Sequence, residues 1–312
     1  MAFTQAELQA LSTTDVSALA TSVISKLTST EINYFSSAQF AALTTPQLDV
    51  LNARVLGAMN QGVFSGITYA QFQSLNSSQI KVISLPNLGT LSTTHFSGLL
   101  ASQLGGLTVT QLNSLSTTIV SGLTTGQLDG LTSAQIAGLS NTAFNALTAA
   151  QILSLSAAQL GALSFANFGD VEAQEIDDFT DGQIDGLKST QIRALDSVNV
   201  IGLTSTQIAG FSTTQVKSLS TSAMAHLTTT QLQGFSAAMI AGLTSQQISS
   251  INTTAFASMS TTQLNGLTAG QIAALSAGLV QSLSSAVIEA FNTTQLRGLK
   301  ATQVAALTTT HL

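Results

Sequence analysis

The chain concentrates one kind of chemistry-bearing side chain, the carboxylate. Of its 14 acids, eight fall in one segment: Asp170, Glu172, Glu175, Asp177, Asp178, Asp181, Asp185 and Asp196. Clustered carboxylates are ligands for Ca²⁺, which takes roughly six to eight oxygens. Asp170, Glu175, Asp177, Asp178, Asp181 and Asp185 are therefore the candidate calcium ligands. No EF-hand spacing and no Gly-rich nonapeptide accompany them, so a solvated acidic patch is the competing reading.

Other site chemistry is missing. Serine is abundant, but no Gly-x-Ser-x-Gly elbow holds one as a nucleophile. His95, His226 and His311 lie far apart in sequence and suggest no metal site. There is no Walker loop and no dinucleotide fingerprint. With no cysteine, disulfides and thiolate metal sites are excluded. Asn76, Asn252 and Asn292 stand in N-x-[ST] sequons, which matter only on a glycosylating route. The reading is of a protein that is not an enzyme and needs no cofactor other than the calcium considered above.

The elements that would position these residues come from a repeat. From Phe3 the sequence divides into 39 blocks of eight without insertion or deletion, the last one truncated, and Leu203–Gly210 (LTSTQIAG) is representative. Positions 1 and 6 are apolar in every block. Position 2 is Ser, Thr, Asn or Asp in 34 of the 39, the exceptions being Ala20, Leu100, Glu172, Lys188 and Lys300. Position 5 is Gln in 20 blocks and Glu in three. Ser or Thr followed three residues later by Gln or Glu is a capping box, so a helix starts in every octad. Position 6 and the next position 1 are three apart, on one helical face. Position 8 is mostly Gly, Ala or Ser. Glycine there suits a left-handed helix end, while the frequency of alanine favours close packing.

A continuous helix is excluded, because eight residues match neither the 3.5 nor the 3.67 period of supercoiled helices. The rival is a β-solenoid of Thr-rich turns. Apolar residues on one face of a strand stand two apart, whereas here the gaps are five and three. The sequence therefore predicts an all-α solenoid, one very short helix per octad, running as one continuous domain over residues 1–312 with no linker. Position 5 departs from Gln or Glu every three to four octads, as at Val55, Asn87, Ile119, Ala143 and Asn199. One superhelical turn should accordingly hold three to four octads, and turns about 10 Å apart would make a rod on the order of 100 Å long. Pro46 and Pro86 both fall at position 4, inside a first helical turn, where a missing N–H costs little.

Composition narrows the function classes. Charged residues make up only 7% of the chain, against about 25% in ordinary domains, and Ser and Thr take the solvent-facing places. A net charge of −6 with eight Lys and Arg argues against nucleic acid. No apolar run approaches the ~18 residues of a membrane span, and the start MAFTQAELQALS is not a Sec signal peptide.

The run of LTxxQIxxL units resembles the Ala/Thr/Leu-rich repeat tracts of large secreted or surface proteins of bacteria, including adhesins. The resemblance implies an extracellular or cell-surface location and a role as spacer, stalk, surface layer or filament-forming element. Self-association, end to end or laterally, is the expected partnership, because neither the first nor the last octad is a polar capping repeat. The alternative is a binding module for a protein, glycan or ice. Its lateral stripe would be formed by the departures at position 5, with Tyr34, Tyr69 and Phe165 as its aromatic candidates.

Overall fold

The octad LTSTQIAG shows how eight residues make one unit. Thr204 has extended backbone angles, and its hydroxyl accepts from the Gln207 N–H at 3.1 Å. The Gln207 Oε1 accepts in return from the Thr204 N–H at 2.8 Å, closing the capping box over the helix Ser205–Ala209. One and a half turns later the chain reaches Phe211, whose N–H still bonds the Ile208 carbonyl at 3.0 Å. It then straightens through Ser212 and caps again.

A computed structural model describes residues 3–307, and this pattern recurs through it as 36 α-helices of four to six residues and two short 3₁₀ turns, Glu31–Tyr34 and Val200–Gly202. No strand is present among the described residues. The all-α solenoid expected from the spacing is the fold, and the β form is not. Where position 2 cannot cap, half of the box survives: the N–H of Leu100, Lys188 and Lys300 each donates to the glutamine three residues on. Pro46 and Pro86 stand within first helical turns, as their position requires.

Helices this short do not persist alone, since nucleation is costly and isolated helices need roughly 12–15 residues. They are held by packing. The side chains at positions 6 and 1 point inward, and Ile208, Val216, Leu232 and Ile240 have no exposed surface at all. Helices three octads apart pack on each other, as Gln5–Ala10 does on Glu31–Tyr34 and Ser245–Ser250 on Ala269–Ala274. Core rings meet on the same spacing, Phe40 stacked on Phe64 at 6.5 Å and Phe72 tilted against Phe96 at 5.5 Å between centroids. One turn of the stack thus takes between three and four octads.

The chain divides into two units, Met1–Leu155 and Ser156–Leu312, each a stack of this kind.

Glycine at position 8 does not provide a left-handed helix end: no described residue has a positive φ. The reason for it is close approach. A Cβ on Gly66 would overlap the Ser37 carbonyl, and one on Gly130 would overlap the backbone of Ala101. At Gly66, Gly130, Gly202, Gly234 and Gly266, position 8 rests on the backbone of position 3 of the octad three earlier. Two substitutions in one octad separate this role from helix propensity. Gly130→Ala is expected to destabilise the first unit by about 1–3 kcal/mol through overpacking. Gly126→Ala, inside the helix Thr125–Leu128 with nothing near its Cβ, should stabilise by about 0.5–1 kcal/mol. Thermal melts giving the two variants shifts of the same sign would refute the assignment.

Candidate functional site

The most organised polar feature is a ladder of glutamine amides running up each unit. Position 5 lies inside the stack, and its glutamines are buried; Gln191 has no exposed surface and Gln231 is 4% exposed. The Oε1 of Gln231 accepts from the Thr228 N–H at 3.0 Å, completing the cap of its own helix. Its Nε2 then donates to two carbonyls on the turn beneath, Val200 at 2.9 Å and Leu203 at 2.7 Å. These are positions 6 and 1 of neighbouring octads, at the corner where one short helix ends. Helix C-termini leave carbonyls without intrahelical partners, and here a side chain from the next turn supplies the donors.

The same bonds run 31 and 28 residues back from Gln39, Gln79, Gln127, Gln263 and Gln303, among others. Gln39 is the first glutamine of the ladder, and it takes the carbonyls of Leu8 and Leu11 in the first two octads. Shorter or different side chains do part of the work. Asn87 reaches only the Met59 carbonyl, at 2.9 Å, and leaves its own Oδ1 buried without a partner. His95 accepts the Ser92 N–H on Nδ1 and places Nε2 3.4 Å from the Ile67 carbonyl, a geometry that suits the Nε2–H tautomer.

A second, outer set of staples uses asparagine at position 7. Asn33 donates to the Ala58 carbonyl and accepts from the Asn60 N–H, and Asn113 does the same to Gly138 and Ser140. Sequence reasoning assigned glutamine the capping box alone and missed both inter-turn roles. The signal was present in the 20-to-three preference for Gln over Glu. A capping box is served equally by either, so the preference identifies a use for the amide N–H groups.

The residues singled out for other chemistry are dispersed or already occupied. Asp170 caps the end of Phe165–Gly169, Asp177 and Asp178 close Ala173–Asp178, and Asp181 and Asp185 open and close the next helix. These five are exposed, and Glu175 is half-buried. Among the described residues no three His, Cys, Asp or Glu side chains come together in a way that could hold a metal ion. His226 bonds within its own helix, to the Ser222 carbonyl at 2.9 Å; His311 lies outside the described residues. Asn76, Asn252 and Asn292, the sequon asparagines, are all helix caps.

The departures at position 5, expected to line a lateral stripe, are instead core. Val55, Ile119, Ala143, Met239 and Leu279 are at most 6% exposed, because position 5 faces inward in these octads; Glu7 and Asp15 in the first two octads are exposed, and Val23 and His95 half-buried. Tyr69 and Phe165 do stand outside, 44% and 54% exposed, while Tyr34 is half-buried. A recess of about 170 Å³ near the first turn is lined by Phe3, Ser22, Val23, Lys26 and Leu27 and contains no acid or nucleophilic pair. No described helix is long and apolar enough to cross a membrane. No protein-family model matches the chain, and no curated protein matches it.

Glu175 is the exception in the second unit. Burial pushes its carboxyl above the usual range; a backbone hydrogen bond from Glu172 opposes this, and the Glu172 charge adds to it. A carboxyl whose pKa is raised by folding favours the folded state while protonated. Its contribution is lost as pH rises through the folded value. Glu175→Gln should therefore raise the melting temperature at pH 7, with the gain vanishing at pH 4; an equal gain at both values would contradict the assigned cause. The ladder is tested by Gln231→Glu, which keeps the cap acceptor but removes both donors. It is expected to cost at least about 3 kcal/mol at pH 7 and less at pH 4, where a protonated carboxyl can donate. A neutral result would show that the inter-turn bonds add nothing.

Proposed function

We propose that this chain is a non-enzymatic structural repeat protein, a spacer or stalk that supplies length and a weakly charged, hydroxyl-rich surface outside the cell. The reading rests on one observation: the frequent polar residues are consumed by folding. Ser and Thr at position 2 cap helices, and the position-5 amides bond at both ends within the stack. The extracellular setting and the surface-layer or adhesin roles come from the resemblance to secreted octad-repeat tracts. A lateral binding role is the weaker reading and is carried by Tyr69 and Phe165 alone, both at position 3 and both exposed.

A spacer must hold its length. Spin labels at Thr21→Cys and Thr125→Cys, two exposed sites in the first unit, are separated by nearly four turns, about 40 Å at one helix diameter per turn. Pulsed electron paramagnetic resonance should give a single narrow distance near that value. A broad or bimodal distribution would count against a stiff spacer.

A further inference from the structure

Inside the first unit the ladder is interrupted at Ala143, which stands at position 5 of the octad 139–146 where the ladder carries glutamine. The carbonyls in register beneath it, 31 and 28 residues back, are those of Leu112 and Leu115. Alanine lacks the Cγ and the carboxamide that would reach them. Two remedies appear elsewhere. Val55, Ile119 and Leu279 fill the space with a larger apolar side chain and are buried. At Ala223 and Ala255 the helix cap supplies a donor instead: the Ser220 hydroxyl bonds the Leu195 carbonyl at 3.5 Å, and the Asn252 amide bonds that of Leu227 at 3.0 Å. Ala143 has neither remedy. The N–H of its cap, Ser140, goes to the Asn113 side chain, and the Ser140 hydroxyl accepts the Ala143 N–H. Among the described residues the Leu112 carbonyl accepts the Leu115 N–H, at 3.2 Å, and no side chain, while the Leu115 carbonyl receives no donor.

A cavity of about 20 Å³ lies at this place, walled by apolar residues that include Leu112, Leu115, Leu123, Leu139, Ala143 and Leu147. Position 1 departs from its rule at the same point. From Leu27 to Phe291 every residue at position 1 is buried except Leu115, Leu139 and Leu147, which are half-buried, and all three line the cavity. A missing side chain, two carbonyls without a side-chain donor and three partly uncovered leucines therefore coincide.

We propose that this cavity binds a primary carboxamide on a short aliphatic stem, which enters between Leu115, Leu139 and Leu147 and donates its N–H₂ group to the Leu112 and Leu115 carbonyls. The arrangement is the one Gln231 makes from within the chain, with Nε2 at 2.9 and 2.7 Å from the Val200 and Leu203 carbonyls. Two donors on one atom match two carbonyls, whereas a hydroxyl brings a single donor. The head must be neutral, because apolar walls cannot replace the solvation that an ammonium would lose. The space exceeds the ~10–15 Å³ that one water requires, and the half-buried leucines leave the stem a way out to solvent.

Saturation-transfer difference NMR on the full chain tests this with two probes, propionamide and N-acetylglutamine N-methylamide, which carry the same head group free or on a peptide backbone. At least one should give a signal at millimolar concentration. The stronger of the two tells whether the cavity suits a free amide or a glutamine side chain delivered by a partner chain. Ala143→Gln, which supplies the carboxamide from the chain itself, should abolish the signal. If circular dichroism shows that this variant has unfolded, Ala143→Met, for which the buried Met239 is the precedent at position 5, is read in its place with the same expectation. Propionate brings acceptors and a charge, and its signal should be at least about tenfold weaker than that of propionamide. Silence from both amides overturns the proposal. So does a signal that survives in the folded variant, or one from propionate equal to that from propionamide.

Discussion

One side-chain amide that caps two helices on two levels is the interaction on which this architecture depends. A helix of four to six residues leaves most of its backbone groups without intrahelical partners. Its N-terminal donors are met locally, by Ser or Thr at position 2 and by the returning glutamine oxygen. Its C-terminal carbonyls are met only in part locally: the position-6 carbonyl accepts the next position-1 N–H before the chain turns into the following cap. The Nε2 of a glutamine from the following turn reaches two of them together, as Gln207 does at Ile176 and Phe179. Since the bonds are buried, each is worth more than it would be in water, and each would be costly to leave unmade. Glutamine is the residue that fits: glutamate lacks the donor, and asparagine, as at Asn87, reaches only one carbonyl.

The rest of the octad follows from that contact. For the amide to reach, turns must approach closely, and glycines at position 8 such as Gly66, Gly130 and Gly202 sit on the backbone of position 3 three octads earlier. Close approach in turn lets the residues at positions 6 and 1 fill the interior, from single isoleucines to the Phe72–Phe96 pair. Each octad thereby depends on the one below it and supports the one above. This is the nearest-neighbour energetics of repeat proteins, carried here by a very short unit.

Departures from the octad mark where that dependence is relaxed or absent. Apolar residues at position 5, such as Ile119 and Leu279, exchange the amide for core volume and stay buried. In the first octads the acids at position 5 complete helix caps, and Glu31 in addition accepts the Phe3 N–H 28 residues back. Glu175 is the one later acid at this position, and the cost appears as a raised pKa. The acidic segment around it is a run of helix ends, and among the described residues no three metal-ligating side chains come together there.

Much of the fold was legible in one dimension. The spacing of five and three at positions 6 and 1 identified the inward face, and Thr204 with Gln207 identified the helix start. The recurrence of Val55, Asn87 and Ile119 indicated a turn of three to four octads. These are local properties: a capping box and an apolar face are made by residues within one octad, so the octad's own sequence determines them. What only the tertiary structure decided lies between octads. The second bond of each glutamine spans 28 residues, the fit of Gly130 on Ala101 spans 29, and the burial of position 5 depends on which way the turn closes. A repeating sequence states what each unit needs. Which neighbour meets the need is settled by the pitch of the superhelix, and that arises only when the turns pack.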